Sequence, residues 1–523
     1  MNCGPTPCVE RPPHLVSVPE NPSGNRWILA ATVLGSSMEF IDGTVVNVAL
    51  PSLQNSFAAS STQIQWVVEA YALFLSALLL TGGSLGDRFG LRKTFLAGVV
   101  FFSSASAWCG LAPSLHQLLI ARSLQGAAGA LLVPNSLALL SASFSGAERG
   151  RMIGMWSGFA SMMTALGPVV GGWMVQHRSW RWVFFLNIPI ALAAVYITLA
   201  KTRPLAAPPS STTLDWRGAL LGATGLGFMT FSLMQWETGR TYTHLAGFVG
   251  LILMGAFVYV ESKAVSPLMP LELFRNQNFA GANLLTLFLY AALAGALFYL
   301  PLNLIQIQGY SPTQAGAAML PLVAIMFALS RWAGGLIARY GAKLPLVVGP
   351  LITAGGYALL ARPGVGGPYW STYLPAMVAL GLGMTISVAP LTTVVMSSVT
   401  PSKAGAASGI NNAVSQTAAL LAIAICSPLF YQSFSHSLPD DLHKVGVSVQ
   451  VNDQVEVQER RLGAIQTQDV AAKLAVDESF VGAFRLITLL ACASAAVAGI
   501  IAVFTIRNDE LRLLKSSIGK ASL

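Results

Sequence analysis

Long apolar stretches separated by short polar turns run through almost the whole chain from Trp27 onward. A helix needs about 20 mostly apolar residues to cross a bilayer, and about fourteen stretches reach that length. The pattern therefore predicts an all-α polytopic membrane protein. The predicted spans are 27–51, 63–84, 94–112, 115–140, 151–175, 181–200, 217–237, 245–262, 279–305, 313–337, 343–361, 369–395, 404–430 and 482–506.

Composition excludes a water-soluble protein. Of the 523 residues, 54% are hydrophobic and only 10% are charged, whereas soluble domains carry about 25% charged residues. The five cysteines have no metal-site or disulfide spacing, so we predict no metal centre. The chain also has no G-x-x-x-x-G-K-[ST] loop and no H-E-x-x-H motif, so we expect neither ATP-driven transport nor an enzyme, and no cofactor.

The distribution of cations predicts the orientation of the spans. An even number of spans places both termini on one side of the membrane. With the N-terminus inside, the inner segments hold about 19 Lys and Arg residues and the short outer loops about 4, a bias typical of cytoplasmic loops. The net charge of +9 is thereby explained without nucleic acid. We predict cytosolic tails at 1–26, which is polar, proline-rich and expected to be disordered, and at 507–523.

One predicted connection is long. Residues 431–481 are polar and lie on the outer side, where long loops escape the charge rule. We expect this outer loop to be a small cap or a mostly flexible segment.

A charged turn, GSLGDRFGLRK from Gly83 to Lys93, connects the second and third spans. Its cations hold it on the cytoplasmic side, and its glycines let two helix ends approach closely. Asp87 could accept hydrogen bonds from a neighbouring helix N-terminus, where an anion is stabilised. We interpret this turn as a cytoplasmic latch, a gating motif formed by Gly83, Asp87, Arg88, Gly90, Arg92 and Lys93.

A weaker copy of this motif, GLIARYGAK, runs from Gly335 to Lys343 between the tenth and eleventh spans. The copy predicts an internal repeat of two six-helix halves, with a substrate site between them near the midplane. The halves are then 27–200 and 279–506, the second including the outer loop 431–481, and the linker 201–278 carries two extra transmembrane helices.

Three acids and one arginine fall inside the first four spans: Glu39 and Asp42 in the first, Glu69 in the second and Arg122 in the fourth. At 1.5 Å per residue, Asp42, Glu69 and Arg122 lie about 9–14 Å below the outer surface, and Glu39 lies about one turn deeper. Arg122 can satisfy one carboxylate, and burial and like-charge repulsion favour the protonated form of the others. We predict that these four residues couple transport to protons. A static ion pair is the alternative, but it leaves the surplus acids unexplained.

Polar residues inside other spans are candidates for a substrate cavity. We predict that Gln125, Tyr290, Asn303, Gln306, Asn411, Asn412 and Gln416 line it, although hydrogen bonding between helices would explain such residues equally well. The predicted spans nine to fourteen contain no Asp or Glu. Arg331 could meet an anionic substrate or reach the inner interface, and the sequence does not separate the two.

Several of these stretches resemble one known family. The 83–93 turn resembles the G-x-L-a-D-r-x-G-r-k motif of the major facilitator superfamily, with Leu91 where a cation is usual. IDGTVVNVALP, from Ile41, resembles the first-helix motif of its fourteen-helix drug:proton antiporter branch. Arg122, Gln125 and Gly126 match R-x-x-Q-G. The fifth span resembles the antiporter motif G-P-x-x-G-G, with Gly158, Gly167, Pro168, Gly171 and Gly172. Further stretches similar to this branch are SWRWVFFLNIPI, LDWRGALL and SGINNAVSQTAALLAIA.

This resemblance implies a major facilitator fold of two six-helix halves plus two inserted central helices, in the bacterial inner membrane. It implies a proton-coupled antiporter that exports small organic or drug-like compounds. Its partners would be a small-molecule substrate, protons and membrane lipid, without nucleotide or nucleic acid. A proton symporter that imports a solute is the alternative, and the glycine-proline seam of the fifth span speaks against it. The absence of acids from the later spans weakens any expectation of dicationic substrates.

Overall fold

The computed structural model describes residues 22–144, 146–202, 215–236, 240–264, 267–400 and 403–507. Regular structure in these ranges is helical throughout. The α-helices are α1 Pro22–Phe57, α2 Ser61–Phe89, α3 Leu91–Leu111, α4 Leu115–Ser143, α5 Gly146–His177, α6 Arg181–Phe185, α7 Asn187–Lys201, α8 Trp216–Met234, α9 Thr241–Lys263, α10 Gln277–Leu302, α11 Pro312–Ala318, α12 Leu320–Gly334, α13 Leu336–Tyr340, α14 Lys343–Leu360, α15 Tyr369–Thr372, α16 Leu374–Ser397, α17 Ala404–Lys444, α18 Val449–Val457 and α19 Val470–Thr505.

Thirteen helical segments of the described residues are long and apolar enough to cross a membrane, with α6 and α7 forming one of them. The predicted span 217–237 corresponds to α8, which has 19 residues but is not among these thirteen segments. The expectation of an all-α protein with about fourteen spans is therefore confirmed.

Local sequence signals explain where the helices begin and turn. Ser60 and Gln63 form a capping box at the start of α2, which satisfies backbone N–H groups that have no partner inside the helix. The turn between α2 and α3 passes through Gly90 at φ 96°, and the repeated motif turns through Gly341 at φ 78°. Glycine adopts this left-handed region without the steric penalty of a Cβ. The two copies of the motif thus share their turn geometry.

The helices pack in two groups joined by a smaller third. Helices α1 to α5 and α7 pack with one another, and α10, α12, α14, α16, α17 and α19 form the second group. The hairpin of α8 and α9 packs through α8 on α2 and α17, at the seam between the groups. Contacts of α5 with α11 and α12 also join the two groups.

The two ends of the bundle differ in how the groups meet. We call the end that carries the 83–93 turn the motif end, and the end that carries the α1–α2 turn the cap end. At the cap end Gln65 Nε2 donates to the Tyr299 hydroxyl over 3.0 Å, and Ser427 donates to Gln65 Oε1. Gln306 Nε2 donates to Gln54 Oε1 over 3.0 Å. These bonds hold the two groups together at the cap end.

The prediction of a long loop at 431–481 is wrong in its extent. Helix α17 continues to Lys444 and α19 begins at Val470, so only 445–469 lies between them. The reason is an apolar stripe: Phe434, Leu438 and Leu442 recur at i, i+4 and i+8 and are at most 2% exposed. They join a core cluster that includes residues of α19, so a segment of polar composition still buries one helical face.

This correction places four acids in helices. Asp440 and Asp441 lie near the end of α17, and Asp477 and Glu478 lie near the start of α19, all at the cap end. Ser479 donates to Asp441 over 2.8 Å, and Lys473 pairs with Asp477 at 2.7 Å. The absence of acids therefore holds for spans nine to fourteen as predicted, and not for the full lengths of α17 and α19.

Candidate functional site

The core of the candidate site is an ion pair between Arg122 of α4 and Asp42 of α1. Their side chains are 1% and 0% exposed. Arg122 Nε also donates to the backbone oxygen of Val67 in α2 over 2.9 Å, so one guanidinium connects three helices. An intramembrane arginine needs such partners because the surrounding hydrocarbon offers none.

Two amides complete the coordination of Asp42. Gln125 Nε2 donates to Asp42 Oδ1 over 2.8 Å, and Gln125 Oε1 accepts from Arg122 over 2.9 Å. Asn187 donates to the same Asp42 oxygen over 3.4 Å and to Ser106 over 3.0 Å. Gln125, predicted for a substrate cavity, therefore bridges the ion pair and is fully buried.

Sequence reasoning missed Asn187, Ser106 and Tyr71 as members of this site. The Arg122 guanidinium lies 4.2 Å from the centre of the Tyr71 ring, a cation–π contact. The available signal for Asn187 was its position in the SWRWVFFLNIPI stretch. The signal for Tyr71 was its place beside Glu69 in the second span. Ser106 gave none, because its approach to the site depends on how the helices pack.

The other two acids, Glu39 of α1 and Glu69 of α2, are also buried, and the ion pairs of the described residues include neither. Glu69 is fully buried, and neither of its carboxyl oxygens has a hydrogen-bond partner among the residues that the structure describes. Glu39 is 5% exposed, and its Oε2 also has no partner in the described part of the chain. An ionised carboxyl without partners is costly in such surroundings, by about 2.5–3.5 kcal/mol at a helix centre on insertion scales. The structure thus brings Asp42 and Arg122 together and leaves Glu39 and Glu69 unpaired.

Three predicted cavity residues make contacts between elements. Asn411 Nδ2 of α17 donates to Asn283 Oδ1 and Thr286 Oγ1 of α10, over 3.2 and 2.7 Å. Asn303 is 1% exposed and accepts from the Tyr373 hydroxyl over 3.2 Å. Gln306 belongs to the cap-end contacts described above.

The remaining residues predicted to line the cavity are more exposed. Asn412 is exposed, and Tyr290 and Gln416 are half-buried. Arg331 lies in α12, but its side chain is outside the described part of the structure.

The glycines at 167–172 of the predicted motif let α5 pack closely against α1 and α11. We call this close contact the seam. A Cβ on Gly167 would lie 2.2 Å from Thr44 Oγ1, and a Cβ on Gly171 would lie 2.2 Å from Val45 Cγ2, both on α1. A Cβ on Gly172 would lie 2.2 Å from the carbonyl oxygen of Pro312 in α11. Gly158 has no atom within 4 Å of such a position. The seam therefore includes 167–172 and not Gly158.

Pro168 takes part in the same seam through its backbone. A Cβ on Gly316 of α11 would lie 2.0 Å from the Pro168 carbonyl oxygen. Backbone thus meets backbone where α5 crosses α11, which joins the two groups of helices.

The gating motif lies at the exposed end of α2 and the start of α3. Arg92 donates to the Thr198 backbone oxygen over 2.8 Å and to Thr202 Oγ1 over 3.1 Å, which ties the turn to the end of α7. Asp87, Arg88 and Lys93 are exposed, whereas Gly83 is half-buried, and a Cβ placed on it would lie 3.6 Å from Pro134 Cβ.

Comparisons with known proteins agree with this architecture. Residues 32–423 match the Major Facilitator Superfamily, and the chain belongs to that family. It is 33% identical to the tetracenomycin C resistance and export protein of Streptomyces glaucescens, over 92% of each chain. It is 31% identical to the multidrug resistance protein Stp of Mycobacterium tuberculosis, over 90% of each chain.

A solved structure supports the fold. A bacterial homologue of the human lysosomal transporter Spinster, in an inward-facing and occupied conformation, superimposes with a TM-score of 0.65 at 18% identity. The match covers 93% of this chain and 98% of that one. The chain is therefore a multi-pass membrane protein with the architecture of a secondary transporter.

Proposed function

We propose that this protein is a proton-coupled antiporter that exports small organic, drug-like compounds across the bacterial inner membrane. The observation that carries the proposal is the burial of four charged side chains, Asp42, Arg122, Glu39 and Glu69. One acid is neutralised by the arginine, and two buried acids have oxygens without partners. Such a surplus is what a proton carrier needs and what a static ion pair does not require.

The relatives support export as the direction of transport. They include the tetracenomycin C resistance and export protein described above. The seam at 167–172 of α5 also supports antiport, through the resemblance of its sequence to the G-P-x-x-G-G motif. The transported compound leaves unchanged, and the proton gradient is the only driving force the proposal requires.

The proposed cycle moves the two groups of helices against each other as rigid halves. The motif end faces the cytoplasm, as the cation bias requires, and both termini lie there. In the conformation described here the halves are joined at the cap end, so substrate would enter from the motif end. Proton loading of the acid layer would then favour one orientation over the other.

The substrate class follows from the charges. The middle of the second group of helices offers asparagine, glutamine and tyrosine side chains, and its acids lie at the cap end. This distribution favours neutral or singly charged amphipathic compounds over dications, because a buried dication would need acids near the cavity.

Transport by inverted membrane vesicles with an imposed pH gradient tests the proposal. With an acidic interior, the protein should accumulate an amphipathic compound inside the vesicles and release protons as it does so. Vesicles that carry Asp42→Asn at equal expression are the control. Substrate leaving the vesicles together with protons would indicate a symporter instead, and accumulation that is unaffected by collapse of the gradient would contradict proton coupling.

A further inference from the structure

Two carboxyl groups meet at the motif end of the α8–α9 hairpin, away from the Asp42 layer. Asp215 precedes α8, and its Oδ1 accepts from the Gly218 backbone N–H over 2.8 Å, which caps the helix. Glu261, in the last turn of α9, is 3% exposed. Its Oε2 accepts from the backbone N–H of Met269 over 2.9 Å. One oxygen of each carboxyl therefore accepts a hydrogen bond from a backbone N–H.

The other oxygen of each carboxyl is buried and has no hydrogen-bond partner among the described residues. A Cβ on Gly218 would lie 2.5 Å from Glu261 Oε1 and 2.8 Å from Asp215 Oδ2. Both unpartnered oxygens thus lie beside the same point next to Gly218, and the distance between them is no more than the sum of those two distances. A larger residue at 218 would force both carboxyls to move.

No described cation neutralises this pair. Arg217 on α8 is exposed and lies 5.5 Å from the centre of the Trp216 ring, and Lys263 on α9 is also exposed. In the segment that follows α9, Arg275 is exposed and Glu272 pairs with Lys403, the residue before α17. The ion pairs of the described residues include neither Asp215 nor Glu261. If both carboxyls were ionised, these two neighbouring negative charges would repel each other.

We propose that Asp215 and Glu261 bind one proton between them, so that one carboxyl donates an O–H hydrogen bond to the other. The pair then carries a single negative charge, and a charge-assisted hydrogen bond of this kind is among the strongest in proteins. The site is separate from the transport layer.

The donor set suits a proton better than a metal ion. Mg²⁺ takes six ligands and Ca²⁺ six to eight, mostly oxygens, whereas this site offers two free oxygens. The described residues contain no group of three or more side chains suited to a metal. A proton needs only one donor and one acceptor oxygen.

The shared proton would stabilise the packing of three segments against one another. It joins the start of α8 to the end of α9, and Glu261 holds the segment around Met269 that leads into α10. Met269 packs on a core cluster of the second helix group, and α8 packs on α2 and α17. Loss of the proton therefore loosens the hairpin at the seam where the two groups meet.

Glu261→Gln tests the site without any transport assay. The glutamine amide can donate to Asp215 Oδ2 while its carbonyl accepts from Met269, which reproduces the protonated pair permanently. The folded wild type holds a proton that the unfolded chain releases near the ordinary carboxyl pKa of about 4, so its stability falls as pH rises above that value. We expect the melting temperature of the purified wild type to fall, as pH rises above about 4, by a few degrees more than that of Glu261→Gln.

Asp215→Asn is the reciprocal variant, because its amide can donate to Glu261 while its carbonyl still caps Gly218. It should show the same reduced pH dependence, and the two changes should not add. Glu272→Gln, a change at a nearby exposed acid, is the control and should keep the wild-type dependence. Wild-type pH dependence in both amide variants would overturn the proposal, as would their failure to fold. Stabilisation of the wild type, but not of Glu261→Gln, by Mg²⁺ or Ca²⁺ would indicate a metal site instead.

Discussion

Arg122 is the residue on which most of the candidate site depends. Its guanidinium pairs with Asp42, donates to Gln125 and the Val67 carbonyl, and lies over the Tyr71 ring. Removal of one partner of a buried ion pair leaves the other charge uncompensated, which costs about 3–5 kcal/mol. Because Glu69 makes none of these contacts, the effects of changing the two acids should differ.

A double-mutant cycle on Arg122 should separate the acids. We expect Arg122→Ala to destabilise the protein more than Arg122→Lys, and Asp42→Asn to rescue part of that loss, with a coupling of up to about 3 kcal/mol. With Glu69→Gln the effects should add within about 0.5 kcal/mol. Melting in detergent measures both. Equal coupling to both acids would show that Arg122 is shared between them.

Glu69→Gln should separate transport from folding. Neither oxygen of Glu69 makes a hydrogen bond, so the amide removes no contact and the melting temperature should equal or exceed that of the wild type. The variant cannot take up a proton, so efflux driven by a pH gradient should be lost. Glu478→Gln, at an exposed acid of α19, is the control. Wild-type efflux by Glu69→Gln would exclude Glu69 from proton coupling.

At the scale of elements, α5 packs closely against two other helices. Gly167 and Gly171 allow it to approach α1, and Gly172 allows it to approach the backbone of α11. Small residues at helix contacts let backbones come close, and packing of this kind drives helix association in lipid. The contact with α11 joins the two groups of helices and must change when they move.

Gly172→Ala and Gly158→Ala form a matched pair in this helix. The Gly172 methyl group would collide with the Pro312 carbonyl, so the variant should destabilise the α5–α11 contact and reduce efflux. The Gly158 methyl group meets nothing, and alanine favours a helix by about 1 kcal/mol, so that variant should be at least as stable as the wild type. Melting and efflux assays at equal expression check both. Equal losses of stability and efflux in the two variants would show that Gly172 has no special role in the contact between α5 and α11.

At the scale of the whole molecule, hydrogen bonds at the cap end hold the two helix groups together. Gln54, Gln65 and Gln306 join the helix groups at the cap end, and segment 445–469 adds to this closure. Ser61 donates to the Arg460 backbone oxygen over 2.8 Å, so that segment also reaches the start of α2. Alternating access requires these bonds to break when the cap end opens.

Gln65→Ala should shift this equilibrium. The change removes the hydrogen bonds to Tyr299 and Ser427, each worth about 0.5–1.5 kcal/mol, and about 1.4 kcal/mol already corresponds to a tenfold change. A single cysteine on the cap side of the bundle should therefore react faster with a membrane-impermeant thiol reagent in intact cells. Gln63→Ala, at an exposed capping residue two positions earlier, is the control for local damage to α2. Unchanged reactivity would show that Gln65 does not hold the cap end closed.

Asp87→Asn should act in the opposite direction if the 83–93 turn is a latch. Loss of a charge-assisted interaction, worth about 1.5–3 kcal/mol, would destabilise the state with a closed motif end. A cysteine on the motif side of the cavity should then react faster in inverted vesicles, and turnover should slow. A well-expressed variant with wild-type reactivity would contradict the latch.

The sequence by itself determined the number and approximate positions of the spans, because the length of an apolar stretch reports directly on membrane crossing. It also located the Gly90 turn. Depth along each helix predicted that Asp42, Glu69 and Arg122 share a layer. Tertiary structure decided which acid pairs with Arg122, because depth does not specify the direction in which a side chain points.

Packing likewise decided that α17 continues to Lys444, since the Phe434–Leu442 stripe is buried only when α19 lies beside it. The meeting of Asp215 with Glu261 had the same origin. A motif fixes residues that are close in sequence, whereas contacts between distant residues depend on how the helices rotate and cross.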